Sequence, residues 1–118
     1  MSATDKLKIV EEGTVIIEEG DNSEHLFWLK SGLLVVTKEN GDETITLGNI
    51  NPGEVFGEMS FFDKDPRSAT VSALAQSEIL IIPQKKYHDM LMDQPKWMQN
   101  LLQNLVDRLR NTNNKVKI

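Results

Sequence analysis

No cysteine occurs among the 118 residues of the sequence, which excludes disulfides and thiolate metal sites and makes a cytoplasmic location the default expectation. Long apolar runs are missing as well. The longest, such as Leu33 to Val36 and Ile79 to Ile82, fall far short of the roughly 20 residues that a membrane span needs, so no membrane contact is expected. Near the N-terminus, Asp5, Lys6 and Lys8 stand where a signal peptide would carry an apolar stretch. Excess positive charge is absent too: the formal net charge is −5, and a direct nucleic-acid partner is not expected of such a surface. Arg108, Arg110, Lys115 and Lys117 form the one basic cluster and suit the favourable charge at a helix C-terminus.

Catalytic and metal-binding signatures are equally sparse. His25 and His88 are the only histidines and lie far apart in sequence, so no metal site is expected. The glycine spacings of a Walker loop, a dinucleotide fingerprint and a nucleophile elbow do not occur. Asp63-Lys64-Asp65 begins like a calcium loop but runs into Pro66-Arg67, where further oxygen ligands should be. The pairs Glu11-Glu12 and Glu18-Glu19 flank strand-like segments, without an apolar setting to raise a pKa. No nucleophile has a base beside it, and the chain is expected not to be an enzyme.

What is present reads as one domain covering residues 1–118, with a barrel over about 13–83 and C-terminal helices over about 84–116. Hydrophobic residues at 39% and charged residues at 26% give the balance of a chain that buries a core. Thr14 to Ile17, Leu26 to Leu29, Leu33 to Thr37 and Thr44 to Leu47 are β-branched or aromatic runs, separated by Gly20-Asp21-Asn22, Ser31-Gly32 and Asn40-Gly41-Asp42. Asn40-Gly41 predicts a tight hairpin, because both residues tolerate the positive φ of a type I′ turn. Ala69 to Leu74 and Ile79 to Ile82 form a second pair. Many short strands with such turns predict a sandwich or barrel.

After Pro83 the apolar period changes. Tyr87, Met90 and Leu91 suit a short helix ending near Asp93, and Pro95 suits the first position of another. In that second helix Met98, Leu102, Leu105, Leu109, Thr112 and Val116 alternate spacings of four and three, a coiled-coil seam predicted to join two copies of the chain. Trp97, Leu101 and Val106 lie off that seam, and a wide apolar stripe on a single-domain helix is the competing reading.

One constellation remains. It is Pro52-Gly53-Glu54-Val55-Phe56-Gly57-Glu58-Met59-Ser60-Phe61-Phe62, followed by Pro66-Arg67-Ser68-Ala69-Thr70-Val71-Ser72-Ala73. Taken singly, an Arg at a strand start is most often exposed or ion-paired, and a Glu near a turn is most often a helix cap. Their joint occurrence with Gly57 and Ser68-Ala69 resembles the phosphate-binding cassette of the cyclic-nucleotide-binding domain family, and within it the sensor domain of the bacterial catabolite-activator type. The resemblance implies a mainly β fold, a double-stranded β-helix or jelly-roll barrel with a short cassette helix and a C-terminal dimerisation helix.

The chemistry of a cyclic phosphate diester suits these residue types. Its charge calls for a guanidinium, Arg67, and for the backbone N–H groups of a helix opening near Gly57-Glu58 and continuing through Met59 and Ser60. Gly57 lets the backbone approach the ligand. Glu58 accepts from the ribose 2′-OH, Ser68 donates to the phosphate or a base edge, and Ala69 keeps the strand close. The resemblance also implies that Val36 and Leu47 wall the base. Thr112 and Asn113 stand where the activator type places a Thr, and a Ser from the partner chain, on the purine amine. Thr112 matches and Asn113 does not; Asn both donates and accepts, so it suits an adenine or a guanine edge.

The expected ligand is thus a cyclic mononucleotide, cyclic AMP ahead of cyclic GMP, with no cofactor and no metal. Arg67→Ala is expected to weaken binding while the unliganded fold survives. The activator type continues into a helix-turn-helix domain, whereas this sequence runs to Ile118. The expected function is a homodimeric sensing module that reports to an effector protein. The alternatives are a degenerate relative serving as a protein-interaction module without nucleotide, and the sensor fragment of a larger transcription regulator.

Overall fold

A computed structural model describes residues 6–58 and 65–112 of the chain, with side chains as far as residue 108. Among the described residues the elements in chain order are β1 (Lys6–Val10), β2 (Val15–Ile17), β3 (Leu26–Ser31), β4 (Leu34–Asn40), β5 (Glu43–Ile50), β6 (Val55–Phe56), β7 (Thr70–Ala73), β8 (Ser77–Ile82), α1 (Gln84–Met92) and α2 (Lys96–Thr112). The strands form two four-stranded sheets in the orders β1-β8-β3-β6 and β2-β7-β4-β5, with every pairing antiparallel. Neighbours that are distant in sequence fill both sheets, as a jelly roll requires. Among the described residues no helix is long and apolar enough to cross a membrane.

Alternation explains how the two layers face each other. Phe27 and Leu29 of β3, with Ile79 of β8 and Val10 of β1, point into one core with Leu34 and Val36 of β4 and Val71 and Ala73 of β7. Phe56 of β6 completes it by stacking on Phe27, ring centroids 5.2 Å apart. The β3–β4 corner is tight: Gly32 has φ +104°, and a Cβ there would stand 2.6 Å from Ser77 Cα. The Ser77 hydroxyl closes the corner by accepting from the Leu33 N–H and donating to the Ala75 carbonyl.

The structure departs from the sequence expectations in three places. Lys6–Val10 is a strand that pairs with β8, although Lys6, Lys8 and the exposed Leu7 and Ile9 give it little of a strand's half-buried pattern. The β4–β5 hairpin forms, but Asn40 pairs with Glu43, so Gly41 and Asp42 make the turn, with Gly41 at a positive φ of +67°.

The third departure concerns α2. Val106, set off the seam in sequence, is its most buried described residue, and it lies one and two turns beyond the half-buried Leu102 and Met98. Trp97, Leu101 and Leu105 make the exposed stripe. Along the expected seam Met98 and Leu102 are thus half-buried while Leu105 is 44% exposed, and the deepest position passes to Val106. Leu109 and Thr112 lie in α2 with side chains outside the described residues, and Val116 is also outside.

Candidate functional site

The most deeply buried charge among the described residues is Arg67, only 1% exposed. A guanidinium taken so far from water needs its donors satisfied. Nη1 donates to the Gly57 carbonyl and Nη2 to the His25 carbonyl, both at 2.7 Å. Its own backbone is clamped by the β2–β3 loop, since Arg67 N–H donates to Asp21 O and Gly20 N–H donates to Arg67 O. The fork also lies over the Phe27 ring, 5.9 Å from its centroid. Two anchors on one planar group fix its orientation.

Gly57 makes this approach possible. Its φ is +86°, and a Cβ would meet Phe27 Cδ2 at 3.0 Å and both Arg67 Nη1 and the His25 carbonyl at 3.1 Å. The next residue, Glu58, is helical and partly buried. Its Oε2 is buried with no hydrogen-bond partner among the described residues. Burial raises the Glu58 pKa above the ordinary 4.5, while its own backbone N–H and the Arg67 charge pull it back down. Tyr87 of α1 lies within electrostatic reach: its pKa is raised by burial and then by the Glu58 carboxylate.

The structure therefore brings together Gly57, Glu58, Arg67, Ser68 and Ala69. Ala69 is fully buried, and the Ser68 carbonyl accepts from Lys38 Nζ at 2.7 Å. Val36 is packed in the core between the sheets. Leu47 stands where the β4–β5 register shifts between Val36 and Thr37, and is 39% exposed. Thr112 ends α2. Met59, Ser60 and Asn113 lie outside the described residues. Sequence reasoning missed His25, Phe27, Lys38 and Tyr87; the first acts through its backbone carbonyl, which leaves no mark on residue type.

A buried guanidinium and a buried carboxylate oxygen thus flank the close backbone approach that Gly57 permits. Residues 7–94 match the family described as cyclic nucleotide-binding domain. The chain belongs to that family. It is 32% identical over 108 residues to the cAMP-activated global transcriptional regulator Vfr of Pseudomonas aeruginosa, covering 87% of this chain and 50% of that protein.

Among solved structures it resembles the catabolite activator protein of Thermus thermophilus, with a TM-score of 0.78, 29% identity, and coverage of 94% of this chain and 53% of that one. It also resembles an EAL enzyme solved in a cAMP-bound form, with a TM-score of 0.78, 28% identity, and coverage of 92% and 29%. The chain spans about half the length of the curated relatives it matches. Like those relatives, it carries a nucleotide-binding domain of the catabolite-activator kind.

Proposed function

We propose that this domain binds a cyclic mononucleotide, cyclic AMP ahead of cyclic GMP, and acts as a regulatory sensor and not as a catalyst. The observation that carries this is the orphaned Glu58 Oε2 beside the anchored Arg67. A ribose 2′-OH supplies the donor that the carboxylate lacks, and the cyclic phosphate supplies the anion for Arg67, Ser68 and the N–H groups after Gly57. A cyclic ribonucleotide offers both groups side by side, with its phosphate held near the 2′-hydroxyl. Val36 and Leu47 then border the base, with Thr112 and Asn113 at its edge. The likeness to Vfr, named as cAMP-activated, and to an EAL enzyme bound to cAMP in one structure and cGMP in another supports the ligand class.

The nucleotide biases the C-terminal helices, and Tyr87 of α1, which feels the Glu58 charge, is one route by which occupancy reaches them. The exposed Trp97, Leu101 and Leu105 of α2 join a second copy of the chain, and an effector protein or a further domain of a longer regulator reads the change, in the cytoplasm. Calorimetry with cyclic AMP and cyclic GMP tests the ligand. Binding at micromolar concentrations is the expected result, and no heat at millimolar nucleotide overturns the proposal.

Glu58→Gln tests the ribose contact. The amide keeps the shape but accepts more weakly than a carboxylate, so the preference for cyclic AMP over its 2′-deoxy analogue should fall by about 1 kcal/mol, roughly fivefold. An unchanged ratio removes Glu58 from the ribose role.

The proton linkage has a definite sign. A donated hydroxyl favours ionised Glu58, so binding lowers a pKa that burial had raised and releases a proton at pH values between the lowered and the raised value. Affinity for cyclic AMP therefore rises with pH through the window, while the 2′-deoxy analogue shows a flatter profile. Titration in two buffers of different ionisation enthalpy reads the proton directly; equal heats in both buffers would refute the linkage. Folding runs the other way. Neutral Glu58 costs least to bury, so this group's contribution to stability is full below pH 4.5 and declines as pH rises through the raised value.

A further inference from the structure

We propose that Lys38 is a positioning residue for the phosphate arm, a role that rests on the nucleotide reading above. The β4–β7 ladder ends at the pair Thr37 and Thr70. One step further, where backbone pairing to β4 would otherwise continue, the Lys38 side chain takes over. Its Nζ donates to the Ser68 carbonyl at 2.7 Å, a charge-assisted bond of short length. The arm Arg67–Ala69 is thereby held to β4 without being drawn into the sheet.

Lys38 is itself held. It pairs with Glu19 Oε2 at 3.5 Å, Glu19 Oε1 accepts from the Glu39 N–H, and the Glu19 N–H donates to Thr70 Oγ1. With Lys38 40% exposed and Glu19 30% exposed, the ion pair contributes little in water. Its effect is to aim Nζ, and the bond to Ser68 carries the consequence.

That consequence follows from peptide geometry. The Ser68 carbonyl and the Ala69 N–H belong to one planar trans unit, since the described residues contain no cis bond. Pinning the carbonyl on Lys38 turns the Ala69 N–H the opposite way and limits the rotation of Ser68, whose hydroxyl and N–H are candidate phosphate donors. Arg67, one residue earlier, is fixed independently by Asp21 O and Gly20 N–H. Lys38 thus sets which exocyclic phosphate oxygen the Ser68 side of the arm meets, and leaves the ribose contact at Glu58 alone.

Lys38→Met tests this with four probes: cyclic AMP, its two phosphorothioate diastereomers, in which sulfur replaces one or the other exocyclic oxygen, and 2′-deoxy cyclic AMP. Kd for cyclic AMP should rise about three- to tenfold, the loss of one partly exposed charge-assisted bond. The affinity ratio of the two diastereomers should shift while the ribose-to-deoxyribose ratio stays constant. Lys38→Arg, which keeps a cationic donor of similar reach, should restore both values. A lowered melting temperature with unchanged Kd and an unchanged diastereomer ratio makes Lys38 structural only and overturns the proposal. A change in the ribose ratio of the same size also overturns it, since the whole site has then shifted. A parent protein that binds none of the probes overturns the nucleotide reading itself, a failure visible before any variant is made.

Discussion

Arg67→Ala should lower nucleotide affinity by about 1.5 to 3 kcal/mol, roughly ten- to a hundredfold, which is the worth of a charge-assisted hydrogen bond to phosphate. It should also destabilise the unliganded protein, a cost that the expectation from sequence, that the unliganded fold survives, did not include. The side chain is 1% exposed and bridges the Gly57 and His25 carbonyls, so truncation leaves two acceptors without their donors beside a void next to Phe27. A loss of about 2 to 4 kcal/mol is expected from such a site. Arg67→Lys keeps the charge but cannot span both carbonyls, and it should fall between parent and Ala in both measurements. Thermal melts and calorimetry on the three proteins separate the effects. If Arg67→Ala binds cyclic AMP as tightly as the parent, the phosphate assignment is wrong.

Charge placed on the two faces of α2 should have opposite consequences. Val106 is 5% exposed and Leu105 44%, although they are adjacent in sequence. Val106→Glu buries a carboxylate against the body of the domain and should cost about 3 kcal/mol or more, enough to unfold much of the protein. Leu105→Glu leaves the monomer's own packing nearly intact, so its melting temperature should change little. If Trp97, Leu101 and Leu105 form the contact with a second copy, this variant should sediment as a monomer where the parent is a dimer. With Thr112 further along the same helix, the monomer should keep phosphate and ribose contacts while its discrimination between adenine and guanine narrows. A parent that is monomeric at tens of micromolar, with and without cyclic AMP, excludes the dimer and the shared base site.

These two results bear on different levels of information. The cassette was legible because it is local: Gly57-Glu58 and Arg67-Ser68-Ala69 are each contiguous stretches inside the region that matches the family. The strands from Val15 to Ile50 were legible for a similar reason, since β-branched runs alternate with glycine turns. β1 was not, because Lys6, Leu7, Lys8 and Ile9 are all exposed and only pairing with β8 makes them a strand.

Sequence by itself exposed the cluster on which the functional reading rests: in a mainly β chain, Glu58 directly follows Gly57, and Arg67 follows Pro66 further along. Tertiary structure alone decided how that cluster is held. The carbonyls of Gly57 and His25 orient Arg67, yet backbone groups are the same in every residue and leave no trace in composition. Lys38 meets Ser68 across thirty positions only because β4 and β7 are neighbours in a sheet. The direction of α2 was likewise open, since Met98-Leu102-Val106 and Trp97-Leu101-Leu105 are two equally regular apolar rows. Burial of Val106 against the rest of the domain chooses between them, because a helix can turn only one of two adjacent faces inward.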